Sequence, residues 1–327
     1  MTSFARRAPA SALLALLTAG VAVGAAPAPP TRLFLRALTS VFQHLEEGEF
    51  RSPRGLFFDR AHDELWVADS GNGYVAVFTP DGMPLHTQRP GGTVREPTRL
   101  VVGRDGRVLL LDADRTRIAV LDWRGRYLGP LELPGLPELP QFGALALDEA
   151  GNLYVGENSS GEVVVYRPDL KVRFRFGARG TGEGEFQAIA DIAAESGRIV
   201  VVDHLATAVQ IFDRHGSFER GFGRHELGIE NFSLPEAVAI DSKGRLLVVD
   251  ALRHEIKVFD ANGKFLNRFG GSGRRPGEVS GPCDVAIDGR DRVYVAERSG
   301  GRVQIFEELE LPVPPRERRK PARRERP

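Results

Sequence analysis

The chain has 327 residues, with 44 Lys and Arg against 44 Asp and Glu, 42% hydrophobic residues and one cysteine. That apolar content is ample for a soluble core, and a lone cysteine excludes an internal disulfide. The zero net charge hides an asymmetry: residues 312–327 sum to +5, Arg6 and Arg7 add +2, and residues 28–311 carry −7, so the mildly acidic body weighs against nonspecific nucleic-acid binding, which depends on neutralising phosphates.

Residues 1–26 read as a signal peptide, with Arg6 and Arg7 ahead of an apolar stretch from Ser11 to Gly24 and small residues up to Ala28. The stretch is short for a membrane span, and cleavage after Gly24 or Ala25 would leave none. An uncleaved anchor is the alternative. Export implies a periplasmic or secreted protein. Next, Arg32 to Leu38 reads as an isolated strand, and Gly48-Glu49-Phe50 precedes Pro53 as Gly277-Glu278-Val279 precedes Pro282.

From residue 52 to 308 one phrase returns six times: a short apolar run ending in Asp69, Asp112, Glu157, Asp203, Asp250 and Glu297, at spacings of 43, 45, 46, 47 and 47 residues. Self-similarity at this period marks a repeat architecture. Each unit contains four short apolar runs separated by turn residues. In the fifth these are Val238 to Asp241, Leu246 to Asp250, Ile256 to Asp260 and Phe265 to Gly270. First hairpins turn at Asp105-Gly106, Gly151-Asn152, Ser196-Gly197 and Lys243-Gly244, where Gly and Asn supply the positive φ of two-residue turns.

Six four-stranded units bury their faces and protect their edges when arranged as a ring. The sequence therefore predicts an all-β, six-bladed β-propeller of four-stranded antiparallel blades over 32–308. The sixth unit stops after Val303-Gln304-Ile305-Phe306, so the N-terminal strand is expected to complete the last blade. Glu308 to Leu311 is the rival. The segment 312–327 has the Pro and Arg content of a disordered tail.

The Pro-x-x-Val-Ala-Ile-Asp openings (235–241 and 282–288), the Val-Gln-Ile-Phe phrases (209–212 and 303–306) and the Phe-Gly endings at Phe176, Phe222 and Phe269 resemble the NHL repeat family. Units one and two depart from it, lacking the Phe-Gly ending. The resemblance implies a six-bladed propeller and admits interaction modules, receptor sensor domains, RNA-binding domains and lyases, so it does not choose a function.

A group repeated around a ring cannot serve one asymmetric site, so the six acids read as structural, their carboxylates accepting N–H groups of nearby loops. Asp59, Asp148, Asp241 and Asp288 read likewise. The glycine-rich segment 177–184 lacks a Gly-Lys-Ser/Thr ending and opens no helix, so it reads as a connector and not a phosphate loop.

Function is expected where the repeats differ, at the starts of the innermost strands and in the loops between second and third strands. Those positions supply the candidate ligand-binding set Arg54, Arg99, Asp191, His204, Glu236, Arg253, His254, Asp284 and Arg298. Its arginines suit a carboxylate, a phosphate or an acidic protein surface. Cys283 reads as a small core residue, because no His neighbours it and Asp284 would raise its pKa. With no nucleophile-base pairing, the expectation is a noncatalytic monomer that binds a protein or envelope polymer and no cofactor. The alternative is a metal-dependent hydrolase, lactonase or lyase, with calcium at Asp191, Glu236 and Asp284 or zinc through histidine.

Overall fold

The computed structural model describes residues 31–312. The segment 1–26 expected to be a signal peptide and the expected tail beyond Pro312 lie outside them. Within Thr31–Leu311, a single compact unit, six four-stranded antiparallel sheets form the six blades. Their innermost strands are Pro53–Asp59, Pro97–Val102, Phe142–Leu147, Ile189–Glu195, Pro235–Ile240 and Pro282–Ile287. Successive innermost strands adjoin, and the sixth adjoins the first. The one helical element among the described residues is the 3-10 turn Gly91–Thr93.

The ring closes as the two chain ends predict. Thr31–Val41 is the fourth strand of blade 6 and pairs with Arg302–Pro312, its third. The rival segment 308–311 is a continuation of that third strand. Leu33 enters the core between blades 5 and 6 and Val41 the core between blades 6 and 1. Asn267 on blade 5 also donates to the Leu33 carbonyl at 2.7 Å.

Each interface between neighbouring blades has its own apolar core. Opposed sheet faces, with strands running through alternating side chains, produce this distribution. The Phe-Gly endings contribute directly. Phe176 of blade 3 packs on Phe212 of blade 4 at 4.7 Å between centroids, and Phe222 of blade 4 on Phe259 of blade 5 at 4.6 Å. Gly216 and Gly263 lie over those rings with φ of +82° and +79°, where a Cβ would come within 2.7 and 2.5 Å of them. Blade 1 has Gln88 in the corresponding place, donating to the Trp123 carbonyl of blade 2 at 2.9 Å. An amide bond thus replaces an aromatic contact, which accounts for one departure from the repeat.

The six repeated acids end the second strands and tie down the segment that leads into the innermost strand of their own blade. Asp69 accepts the N–H of Arg51 and Ser52, Asp112 those of Arg95 and Glu96, and Asp203 those of Gln187, Ala188, Leu205 and Ala206. Glu157, Asp250 and Glu297 do the same with Gln141, Leu234 and Ser280. Buried carboxylates satisfied this way are part of the scaffold. The first hairpins are less uniform than the sequence suggests. Ser196-Gly197 is a two-residue turn with both φ positive. The turns at Gly106, Gly151 and Gly244 are longer, with one left-handed glycine each; in the last two, Asp148 and Asp241 accept the turn N–H groups.

Candidate functional site

Every innermost strand slips register around its second residue: Arg54, Thr98, Gly143, Ala190, Glu236 and Cys283 are the bulged positions. A bulge leaves one residue outside the ladder and re-aims its groups. Here the freed carbonyls of Arg54, Ala190 and Glu236 accept N–H groups of Arg99, at 3.3, 3.4 and 3.1 Å. One side chain from blade 2 therefore crosses the axis and ties blades 1, 4 and 5 together.

Arg99 also pairs with Asp284 at 3.3 Å and approaches Asp191 to 4.0 Å. Both carboxylates are anchored to the following blade: Asp191 accepts the Val238 N–H and Asp284 the Leu56 N–H, at 2.9 and 2.8 Å. Burial raises both acids, against the opposing charge of Arg99. Burial disfavours the Arg99 charge, but Asp284, Asp191 and Glu236 outweigh that and hold the guanidinium protonated. These three residues form an ion cluster that plugs the channel.

On the loop side of the plug lies its mouth. His204 Nε2 stands 3.7 Å from Glu236 Oε2, an ion-pair distance longer than a hydrogen bond. Burial alone would raise the Glu236 carboxyl, but His204, Arg99 and Arg298 hold it below its ordinary value. Arg115, with φ +57° at the turn of blade 2, shares this field. Its pKa is lowered by burial and by the like charges of Arg99 and Arg54, with Glu236 opposing. Arg54 has its Nε buried with no partner. Among the described residues, the side chains of Arg54, Arg115 and Arg298 make no hydrogen bond or ion pair.

Other candidates are occupied within the chain. Arg253 donates to Ser233 Oγ and to the carbonyls of Gly228, Asn231 and Glu226, bracing the loop 224–233. His254 has φ +55° and accepts the Gly281 N–H on Nδ1 at 2.9 Å. Both therefore sit on the loop-rich face, with the Arg253 guanidinium committed to its own loop and His254 Nδ1 to Gly281. The Cys283 thiol points at the Pro53 carbonyl, 3.3 Å away, and burial followed by the Asp284 charge pushes its pKa up to about 12. Arg115 belongs to the same loops but lies outside the nine-residue set; its three-blade separation from Glu236 in sequence conceals the convergence.

The carboxylates do not fit a metal. The Arg99 guanidinium lies between Asp191 and Asp284, where a cation would have to sit, and Glu236 faces His204 on the other side. No group of three metal-ligating side chains gathers among the described residues.

No family model matches the chain, and no curated protein sequence does. Its likeness is to solved structures. A gluconolactonase from Xanthomonas campestris has a TM-score of 0.60 at 15% identity, over 87% of this chain and 99% of that one. Virginiamycin B lyase from Staphylococcus aureus gives 0.54 at 14%, over 86% and 89%, and a luciferin-regenerating enzyme 0.59 at 16%, over 84% and 96%. At such identities the shared property is the fold. The chain is a six-bladed β-propeller with a plugged axial channel, and among its described residues no helix is long and apolar enough to cross a membrane.

Proposed function

We propose that the chain is an exported, noncatalytic propeller of NHL-repeat type that captures an anionic group of a protein or envelope polymer at the mouth of its channel. The observation that carries this reading is the convergence of Arg54, Arg115 and Arg298 on one mouth with no ion pair among them. Like charges held close in a half-buried setting repel, and a bound carboxylate or phosphate relieves that repulsion while accepting bidentate hydrogen bonds. Asp191 and Asp284 do not supply the relief, because Arg99 already takes their charge.

Arg54→Glu/Arg115→Glu/Arg298→Glu tests the reading without touching the plug. The triple variant should lose cross-linked capture of solubilised envelope components and at least about tenfold in affinity for hexaglutamate, a probe of acidic surfaces. Retained capture and affinity in the folded variant would overturn the choice of mouth.

A second reading, ester or lactone chemistry or elimination at the same mouth, draws on His204 beside Glu236 and on the names of the structural neighbours. In its metal-dependent form, a dication has to displace Arg99. Calorimetric titration with calcium and with zinc separates the readings: stoichiometric binding supports the hydrolase, and no heat removes its metal form.

A further inference from the structure

Behind the plug the channel widens instead of closing. Two residues along each innermost strand from the Arg99, Asp191 and Asp284 level, and so on the same sheet face, the belt consists of Phe57, Val101, Ala146, Ala193, Ala239 and Ala286. Four alanines leave the bore open. The space continues sideways between blades 2 and 3, whose innermost strands are the least closely packed neighbours in the ring. There Leu109, Leu131 and Leu147 stay half-buried. Blade 2 lacks the Phe-Gly ending whose phenylalanine packs into the next interface from blades 3, 4 and 5. Channel, cleft and a charged rim that includes Arg60, Arg104, Asp148, Glu149 and Arg167 together make up about 1080 Å³, at the upper end of the ~300–1,000 Å³ common for small-molecule sites.

The far opening of this cavity has its own device. Arg60 on blade 1 donates to Glu195 on blade 4, the blade diametrically opposite, so an ion pair lies across the opening. Water needs two to four polar partners to be held in a cavity; the belt's side chains offer none, which leaves the edge N–H and C=O groups of the innermost strands. At the inner end the charge of Arg99 is neutralised by Asp191 and Asp284.

We infer that this cavity is a second binding site, on the face away from the loops, for a largely apolar and uncharged small molecule that lies along the channel and bends into the cleft between blades 2 and 3. The site is independent of the anion mouth. Arg99 separates the two.

The probe is N-phenyl-1-naphthylamine, an uncharged aromatic amine whose fluorescence rises in apolar surroundings. The full chain should give a saturable signal with one site per protein. Ala193→Leu/Ala239→Leu, which fills the belt, should weaken binding at least about tenfold. Leu131→Arg, on the half-exposed cleft wall, should do the same and decides the matter if the belt variant fails to fold. Arg60→Ala should speed association several-fold by removing the bar. The Arg54→Glu/Arg115→Glu/Arg298→Glu variant should bind the probe as the wild type does, so failure here is distinguishable from failure of the anion site. An unsaturable signal, a signal retained in folded Leu131→Arg, or one lost in the mouth variant would overturn the inference.

Discussion

The two ends of the channel treat charge in opposite ways. At the loop-rich mouth, Arg54, Arg115 and Arg298 stand unpaired around a single Glu236 and His204. At the other end an alanine-rich belt is bare of charged side chains, and the ions at its two ends are paired: Arg99 with Asp284 and Asp191, Arg60 with Glu195. One innermost strand supplies both kinds of surface within a few residues, because its bulge turns the second residue to the mouth while the third and fifth face the axis. The same repeat can therefore carry two unlike recognition surfaces, provided one side chain keeps them apart.

Removing that side chain should have the largest effect. Arg99→Met leaves Asp191 and Asp284 buried without a cation and strands three channel carbonyls, and by analogy with other broken buried pairs it should cost ~3–5 kcal/mol in a denaturant titration. The pH dependence has a defined sign. Burial raises both carboxyls above 3.8, so folding takes up protons. The contribution of this pair to stability is then greatest below about pH 4 and declines as pH rises toward neutrality. Arg99→Met should steepen the decline, measured by melting between pH 4 and 8, and an unchanged slope would show that the plug is not an ion cluster.

Charge reversal at the mouth should do the converse. Arg54→Glu/Arg115→Glu/Arg298→Glu should abolish anion capture yet change stability by no more than about 1 kcal/mol, since no ion pair is broken. Wild-type hexaglutamate binding should also fall steeply with added salt, whereas probe binding in the apolar cavity should not. Arg60→Ala should have a smaller effect still, under ~1 kcal/mol on stability, because its pair is partly exposed. Cys283 supplies the smallest. With its pKa pushed up to about 12 by burial, it should resist alkylation by iodoacetamide at pH 8 until the protein unfolds, and rapid labelling of the native protein would mean that the mouth is more open than described.

Much of this was legible in the chain itself. The six acids announce their own role, since each returns at the end of a second strand beside a loop whose N–H groups need an acceptor. The unfinished sixth unit and the orphan strand from Arg32 predict the closure that Thr31–Val41 makes. The site was less legible. Arg253 and His254 look like ligand-binding residues in sequence, but an irregular connector takes up the Arg253 donors and the Gly281 N–H takes up His254 Nδ1, contacts set by loop conformation and not by periodicity. Arg99 crosses the axis to reach four other blades, which no local pattern encodes. The cavity between blades 2 and 3 left a faint sign: unit two lacks a phenylalanine, but only the packed ring shows that the smaller Leu131 in its place stays half-buried.

The division of the channel by Arg99 is tested most directly by one titration. Hexaglutamate is added to saturation, and the affinity for N-phenyl-1-naphthylamine is measured with and without it. Two sites kept apart by a fixed plug give the same affinity within about twofold, a coupling free energy near zero. Displacement of the probe by hexaglutamate would mean that both enter one continuous cavity, contradicting the account.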